Sequence, residues 1–442
     1  MVKEGKKREK DKKLKQILSE QLSLIKPTGQ EFLILKKQAC LLKDKIESSA
    51  KKLKIKAGCF IGGSLAKGTI IKKERYDIDI FVRFEKNQKQ KEAECISESL
   101  EKILKHSKVK FQRIHGSRDY FIIQEREKGG GKGKEKTKSI FFEIIPVLKI
   151  AKPQQAENTT DLSFFHVSYI MKETRKNPKL ADEIMLAKAF CHAQGCYGAE
   201  SYISGFSGYA LELLICNYKS FANFIKQVAG STEKIVIDKE KLYKNRQDVL
   251  LNMNEAKLQS PVVLVDPTFK ERNALAALSD ETFEKFRKAC LKFLKAPSRK
   301  FFQQKKINEK QFNFILEAET EKQAGDIAGS KLIKFCRFLS MEIDKLFVIK
   351  KANFEYDESR NTGIFYLSLK RKKEIILEGP PAGMQERLAS FRKAHKNVFI
   401  KRGKAYAREK ADISFGQFLK MFKKENSRKI KEMGITNITA KN

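Results

Sequence analysis

Two aspartates and a glutamate are the residues in this sequence whose types and spacing most suggest chemistry. Asp77 and Asp79 lie two positions apart in YDIDIFVRF, which has the alternating pattern of a strand. Residues two apart share a strand face, about 6–7 Å from each other, and carboxylates so placed suit hard cations such as Mg²⁺. Glu143, in FFEIIPV, offers a third carboxylate on an otherwise apolar strand. Two such ions can activate an attacking hydroxyl and stabilise a leaving pyrophosphate.

A glycine-rich turn precedes the paired aspartates. Backbone N–H groups at Gly62 and Gly63 can bind phosphate, the Ser64 hydroxyl can add a hydrogen bond, and Lys67 can reach the same anion. Taken alone, the segment is an ordinary tight turn, and the aspartates alone fit the exposed face of an edge strand. The order of glycine turn, paired acids and later acid predicts a site for metal ions that carry a nucleoside triphosphate.

The composition favours a polyanionic partner. The 442 residues include 92 Lys and Arg against 54 Asp and Glu, a formal net charge of +38. Such an excess attracts nucleic acid or, as a second candidate, an anionic membrane surface. A lysine-rich genome, or adaptation to a saline or hot habitat, is the plainer explanation. The sequence shows no zinc-type cysteine spacing, no signal peptide and no apolar run of membrane-spanning length, so we expect a soluble, cytoplasmic protein.

The elements that must position these residues follow from the apolar periodicity. A helix is predicted near 30–53, and strands and a helix alternate from there to a small α/β sheet domain that ends near Ile150. The Gly/Lys segment 127–138 is predicted to be a mobile hairpin tip. Residues 151–297 are predicted to be mainly helical, and the remainder from Ser298 mixes helix with strand around a turn at 378–383.

Several segments together resemble a known family. GGSLAKGT…YDIDIFV resembles the head-domain signature of the nucleotidyltransferase superfamily, in which a Gly-Ser turn precedes two strand aspartates and a third acid. More narrowly, the chain resembles the archaeal (class I) CCA-adding enzymes, which are tRNA nucleotidyltransferases. GCYGAESYISGFSGYALELLI (195–215) and VVLVDPTFKERNALAALS (262–279) are similar to the helical neck of that family. GPPAGMQERLASFRKAHKNVFIKRGKAYA (379–407) is similar to its C-terminal region.

The resemblance implies a multidomain α+β fold. A nucleotidyltransferase-type catalytic head with a small mixed sheet is expected over residues 1–150. A helical neck, or central domain, with nucleotide-selecting residues is expected over 151–297. An α+β body and tail that bind tRNA are expected over 298–442.

The resemblance also assigns roles to single residues. Asp77, Asp79 and Glu143 would hold the metal ions and carry catalysis. The family normally has Asp at the third position, so Glu143 departs by one methylene, and Asp119 is the alternative third ligand. The IIP segment after Glu143, which the family shares, favours Glu143. The residues expected to bind the incoming nucleotide are Gly63, Ser64, Lys67, His166, Lys188, Tyr197 and Arg272.

Plainer roles remain open for four of these residues. His166 would lie near the phosphates or the sugar, and the alternative is a capping or core histidine. From spacing alone, Lys188 is a solvated lysine and Tyr197 a half-buried tyrosine. Arg272 would read the incoming base, since its planar fork can donate to base acceptors and phosphate together. The alternative for Arg272 is a salt bridge to Asp266 in the same loop.

The function implied is the addition of C, C and A to the 3′ end of tRNA from CTP and ATP, with Mg²⁺ and without a nucleic-acid template. Pyrophosphate would be released by a two-metal mechanism. Another template-independent RNA terminal transferase, such as a poly(A) polymerase, is the alternative enzyme. The third hypothesis is a non-catalytic RNA-binding protein of the same fold. The partner expected is the acceptor–TΨC end of tRNA, and the sequence leaves the oligomeric state open, a homodimer included.

Overall fold

A computed structural model describes residues 2–85, 92–116, 118–126, 139–304, 307–321, 325–357, 360–410 and 413–441. The chain divides into two compact units, residues 1–305 (unit 1) and 306–442 (unit 2), by the contacts among its described residues. Both units combine helices with small sheets, which confirms the predicted multidomain α+β class. The predicted hairpin tip at 127–138 lies outside the described residues.

The first part of unit 1 is a mixed sheet. Its strands are β1 (Ala57–Ile61), β2 (Arg75–Glu85), β3 (Gln112–Ile114), β4 (Tyr120–Arg126) and β5 (Ser139–Lys149), in the order β1-β2-β5-β4-β3. β2 and β5 run parallel, and the other neighbours are antiparallel. The sequence predicts β1, β2, β4 and β5. β3 was not predicted, because its three residues are too few to show an alternating apolar pattern.

Helices cover one face of this sheet. The helices of this part of the chain are α1 (Val2–Ile25), α2 (Gly29–Lys52), α3 (Gly63–Ala66) and α4 (Glu92–His106), of which α2 and α4 cover that face. α2 begins at a capping box, in which Thr28 accepts from the N–H of Glu31 at 3.1 Å and Glu31 accepts from the N–H of Thr28 at 2.9 Å. Apolar residues of α2 and α4 form one core with Ile78 and Ile80 of β2. The opposite face of β2 is therefore left for polar side chains.

The second part of unit 1 is built mainly from helices. They are α5 (Ser163–Lys176), α6 (Lys179–Ala193), α7 (Gly208–Tyr218), α8 (Phe221–Gly230), α9 (Arg246–Asn252), α10 (Glu255–Leu258) and α11 (Asp280–Lys295). Their core also takes in Leu14 and Ile17 of α1, so the basic N-terminal helix packs here rather than on the mixed sheet.

Within the mainly helical region, residues 262–273 are an exception that the sequence did not predict. This segment forms β7 (Val262–Asp266) and β8 (Phe269–Asn273), which together with β6 (Ile235–Ile237) make a small sheet in the order β6-β7-β8. The run VVLVD is β-branched and fully buried, and Pro267 follows it directly, so a buried strand that ends in a turn is the favoured outcome.

Unit 2 contains two antiparallel sheets. Its elements are β9 (Phe314–Thr320), α12 (Gly325–Leu346), β10 (Phe347–Asp357), β11 (Thr362–Arg371), β12 (Glu374–Pro381), α13 (Gln385–Ala394), β13 (Val398–Lys401), β14 (Lys404–Lys410), α14 (Phe415–Glu425), α15 (Ser427–Glu432) and β15 (Ile435–Lys441). The sheets have the orders β10-β11-β9-β15 and β12-β14-β13. The turn predicted at 378–383 is confirmed at 382–383 and wrong at 378–381, because β12 extends through an irregular register to Pro381. None of the described helices is both long and apolar enough to cross a membrane.

Candidate active site

The predicted metal-binding acids lie on one face at the centre of the first sheet. β2 and β5 pair in parallel register, with Asp79 directly opposite Glu143. Because side chains alternate along a strand, Asp77 and Asp79 point away from the face on which Ile78 and Ile80 are buried. Neighbouring strands lie about 4.8 Å apart, so the Glu143 side chain starts beside that of Asp79. β2 lies between β1 and β5, which rules out the edge-strand interpretation of the aspartates.

Asp119, the alternative third acid, is engaged elsewhere. Its carboxylate accepts a hydrogen bond from Arg113 Nε at 2.7 Å and lies 3.0 Å from His115 Nδ1. The residue of β4 that faces Glu143 is Ile122. The sheet therefore places Glu143, and not Asp119, beside the paired aspartates.

The donor chemistry of the three acids suits a hard cation, since Mg²⁺ prefers carboxylate oxygens. As the side chains stand, no three His, Cys, Asp or Glu residues within the described ranges form a group that could hold a metal ion. Asp77 already forms an ion pair with Arg75. Arg75 Nε donates to Asp77 Oδ1 at 2.9 Å, and the Arg75 guanidinium lies 4.0 Å from the centre of the Phe141 ring. A cation that bound Asp77 Oδ1 would therefore replace Arg75 at that oxygen.

The electrostatics of the acids also favour a cation. Burial raises the pKa of Asp79, the charge of Lys67 opposes that rise, and the like charge of Asp77 reinforces it. A carboxyl whose ionised form is disfavoured in this way gains most from a positive charge that binds next to it.

The glycine turn packs directly against Asp79. The N–H of Gly62 donates to the backbone carbonyl of Asp79 at 2.9 Å. Gly63 has a φ of +56°, and a Cβ at this position would lie 1.6 Å from Asp79 Oδ2. Position 63 must therefore be glycine for both steric and backbone reasons. α3 starts here, so the fold brings Gly63 against Asp79, and Ser64 follows as the second residue of that helix.

Lys67 and Lys188 share one buried carboxylate that the sequence analysis missed. Lys67 Nζ lies 2.6 Å from Glu212 Oε2, and Lys188 Nζ lies 2.7 Å from Glu212 Oε1. Thr69 Oγ1 donates to Glu212 Oε1 at 3.2 Å and accepts from Lys188 Nζ at 2.9 Å. We call Lys67, Thr69, Lys188 and Glu212 the Glu212 cluster. Only 5% of the Lys188 side chain is exposed, so the solvated-lysine interpretation is wrong.

The charges of the Glu212 cluster depend on one another. Burial lowers the pKa of Lys188, and Glu212 opposes that change. Burial pushes the pKa of Glu212 upward, but Lys188 and Lys67 outweigh burial and hold it below its ordinary value. Glu212 has the same sequence signal as Glu143: a single acid within an apolar run, here GYALELLI.

Tyr197 lies next to Lys188. A Cβ on Gly208 would lie 2.7 Å from the Tyr197 hydroxyl and 4.0 Å from Lys188 Cε, so both side chains border the first residue of α7. The ring of Tyr197 stacks on His192 with 3.8 Å between ring centres, and burial raises the pKa of the Tyr197 hydroxyl. The fold thus brings Tyr197 and Lys188 together, and Tyr197 is half-buried, as its spacing alone predicts.

His166 and Arg272 converge on a second buried acid, Asp266. Asp266 Oδ2 lies 3.1 Å from His166 Nε2 and accepts from Arg272 Nη1 at 2.8 Å. Asp266 Oδ1 accepts from Tyr209 OH at 3.0 Å and from the backbone N–H and hydroxyl of Thr268 at 2.9 and 2.7 Å. We call these five residues the Asp266 cluster. The salt bridge considered as the alternative for Arg272 is present, and His166 is buried with a partner, as a core histidine would be.

The charged state of the Asp266 cluster follows from its partners. Burial pushes the pKa of Asp266 upward, but His166 and Arg272 outweigh burial and hold it below its ordinary value. Burial lowers the pKa of His166, against the effect of Asp266. Asp266 is therefore ionised and His166 neutral near pH 7, so the formal charges of the cluster are those of Asp266 and Arg272.

Arg272 also lines a cavity of about 470 Å³. The other walls include residues 156–159, Ser207 at the N-cap of α7, and Asn273 and Ala274 after the arginine. The Arg272 side chain therefore forms the salt bridge to Asp266 and lines the cavity at the same time.

Comparisons with known proteins identify the family of the chain. A family model for a nucleotidyltransferase domain matches residues 43–129, and a model for the second domain of tRNA nucleotidyltransferase matches residues 182–303. The CCA-adding enzyme of Nanoarchaeum equitans is 33% identical over 77% of this chain and 81% of its own length. That of Methanocaldococcus jannaschii is 30% identical over 91% of this chain and 88% of its own length.

The chain belongs to the family of CCA-adding enzymes. The resemblance stated from the sequence is thereby confirmed. The two matched domains of this CCA-adding family member meet in the Glu212 cluster, because Lys67 and Thr69 fall in the first match and Lys188 and Glu212 in the second. Among solved structures, an RNA terminal U-transferase overlaps with a TM-score of 0.49 at 13% identity, over 67% of this chain and all of that one.

Proposed function

We propose that this chain adds C, C and A in turn to the 3′ end of tRNA, from CTP and ATP and without a nucleic-acid template, and releases pyrophosphate. The observation that carries the proposal is the parallel register that sets Glu143 beside Asp79, next to a glycine turn. Membership of the CCA-adding family supports tRNA as the acceptor.

In this proposal Asp77, Asp79 and Glu143 hold Mg²⁺. Their oxygen donors lie on adjacent strands of one sheet face, where the ionised form of Asp79 is disfavoured by burial and would gain from a cation. Mg²⁺ bound there would lower the pKa of the attacking tRNA 3′-hydroxyl and neutralise charge on the leaving pyrophosphate. The role of the chain is to hold the carboxylates on a rigid strand pair, so that positioning and charge stabilisation supply most of the rate.

The nucleotide would lie across the two clusters. Lys67 and Lys188 supply one positive charge more than Glu212 removes, which suits a triphosphate. Gly63 and Ser64 contribute the turn beside the acids, and Tyr197 lies next to Lys188. At the other cluster, His166 would contact the sugar or phosphates and Arg272 would read the base from the cavity wall.

The tRNA would contact the rest of the chain. We assign residues 1–150 to a catalytic head, 151–297 to a neck and 298–442 to a body and tail that bind tRNA in the cytoplasm. In the tail, Phe399 and Tyr406 stack with ring centres 5.7 Å apart, and the Arg408 guanidinium lies 5.7 Å from the Phe399 ring. Cations beside half-buried aromatic rings suit phosphates and unpaired bases.

The test is nucleotide addition to a tRNA transcript that lacks its CCA end, with Mg²⁺ and single-nucleotide resolution. We expect two additions with CTP alone, none with ATP alone and three with both. Asp79→Asn should abolish addition, whereas Asp119→Asn, the matched change of an acid on the same sheet, should retain it. A long ladder with ATP alone would instead indicate a poly(A) polymerase.

A wild-type chain that binds tRNA without adding a nucleotide would contradict the proposal. Glu143→Asp then distinguishes two causes. If the shorter acid restores addition, the extra methylene of Glu143 misplaces the third carboxylate. If it does not, the chain is a non-catalytic RNA-binding protein of this fold.

A further inference from the structure

Asp266 makes more contacts than its position in the chain requires. Asp266 Oδ1 accepts hydrogen bonds from the N–H and the hydroxyl of Thr268, and these bonds stabilise the turn between β7 and β8. This is an ordinary role for an aspartate that precedes a turn. Its bonds to His166 and Tyr209 reach α5 and α7, and His166 is 100 residues away in the sequence. The turn needs neither of these, nor the ion pair with Arg272 at Oδ2.

These extra contacts restrict Arg272. The guanidinium is held by Asp266 at 2.8 Å and lies 5.9 Å from the centre of the Tyr209 ring. Tyr209 is itself fixed by its bond to Asp266 and by stacking on His166, with 3.9 Å between ring centres. A guanidinium has five N–H donors, and the bond to Asp266 uses one, so donors remain for a group in the cavity.

A fixed guanidinium can separate the four bases by their pairing edges. Cytosine and adenine each present an amino group beside an unprotonated ring nitrogen, which accepts a hydrogen bond. Uracil and guanine present a carbonyl beside a ring N–H, which donates. Arginine only donates, so an arginine N–H aimed at the ring nitrogen favours C and A and leaves donor facing donor with U and G. A mobile guanidinium would move to the carbonyl and lose that selectivity.

We propose that Asp266 is the positioning residue for base selection: by holding Arg272 at one place on the cavity wall, it makes the enzyme accept CTP and ATP and reject UTP and GTP. The inference rests on the proposed function and deepens it. Asp266 touches no substrate in this scheme and acts through Arg272. Selectivity depends on the fixed direction of the arginine, as expected when a surrounding shell locks the group that contacts the ligand.

The experiment compares kcat/KM for CTP, ATP, UTP and GTP on transcripts that end before the first C and before the A. In Asp266→Asn we expect the preference for CTP over UTP to fall by about tenfold or more, the value of one charge-assisted hydrogen bond. tRNA affinity should stay unchanged. Thr268→Val, which removes a bond to Oδ1 of the same carboxylate, should keep the wild-type preference. On an Arg272→Gln background, Asp266→Asn should cause no further loss of preference.

Two results would overturn the inference: an unchanged preference in Asp266→Asn, or an equal loss of kcat/KM for all four nucleotides, which is the mark of a merely structural role. Thermal denaturation reports whether the variant folds. If it does not, Asp266→Glu replaces it, since this change keeps the charge but displaces it, and the expected fall in preference has the same direction. If the wild-type chain adds no CCA, the proposed function is refuted. If the wild-type chain adds CCA and Asp266→Asn keeps the full preference for CTP over UTP, the inference alone is refuted.

Discussion

Glu212 and Asp266, two of the buried acids of unit 1, organise their surroundings differently. Glu212 faces two lysines and a threonine, so its cluster has one positive charge in excess. Asp266 faces one arginine, a neutral histidine and two hydroxyl groups, so its cluster has equal numbers of positive and negative charges. An excess of charge attracts an anion from any direction, whereas a balanced cluster selects through the direction of its hydrogen bonds. Under the proposed function, this difference would separate affinity for phosphate from choice of base.

The largest expected effect comes from removing the acid of the Glu212 cluster. Glu212→Gln leaves two buried lysines without a counter-charge, so we expect the free energy of unfolding of the chain to fall by about 3–5 kcal/mol. Urea denaturation followed by circular dichroism measures this. Adding Lys188→Met to Glu212→Gln removes one of the two uncompensated charges and should recover part of the loss. A Glu212→Gln variant as stable as the wild type would show that the cluster is not the charge centre we describe.

The second prediction tests whether the excess charge serves phosphate. Lys67→Met leaves Lys188 and Glu212 balanced, so we expect KM for CTP and for ATP to rise by a similar factor, about tenfold, with the preference against UTP unchanged. Steady-state kinetics with each nucleotide measures this, and Lys172→Met, an exposed lysine of α5, is the matched control. A change in base preference instead would remove the distinction between the clusters.

The third prediction concerns pH and belongs to the Asp266 cluster. The pKa of His166 is lowered by burial in the folded chain, so the unfolded chain binds the proton first as the pH falls. Stability is then lost as the pH drops below about 6.5, by up to about 1.4 kcal/mol per pH unit. His166→Gln should reduce this slope. Denaturation of both proteins above and below that pH measures it, and identical slopes would contradict the prediction.

The smallest effect is expected outside both clusters. Asp119 pairs with Arg113 in a partly exposed ion pair, so Asp119→Asn should change stability by less than about 1 kcal/mol and leave nucleotide addition intact. Single-nucleotide gels and thermal denaturation check this. Loss of activity in Asp119→Asn would mean that the third acid had been assigned to the wrong strand.

The sequence predicted the acid face well because that face depends on local rules. Alternation in YDIDIFVRF fixes the shared direction of Asp77 and Asp79, and the apolar run around Glu143 marks a second buried strand. Once these two strands pair in parallel, their register sets Glu143 opposite Asp79.

The two clusters were largely beyond sequence reasoning because their partners are distant in the chain. Lys67 and Glu212 are 145 residues apart, and no period connects them. The short separation of Arg272 and Asp266 made their salt bridge foreseeable, but not the contacts of Asp266 with His166 and Tyr209. The strands at 262–273 were missed because a likeness to a helical region was given more weight than a β-branched run.

Helix α7 links the two clusters mechanically. Tyr209 bonds to Asp266 and Glu212 bonds to the lysines, and the two residues lie one turn apart on the same side of an eleven-residue helix. A helix of about 16 Å moves as a rigid rod on the scale of these contacts. Any tilt or sliding of α7 is therefore transmitted to both clusters at once. Under the proposed function, triphosphate binding and the direction of Arg272 toward the base would then change together.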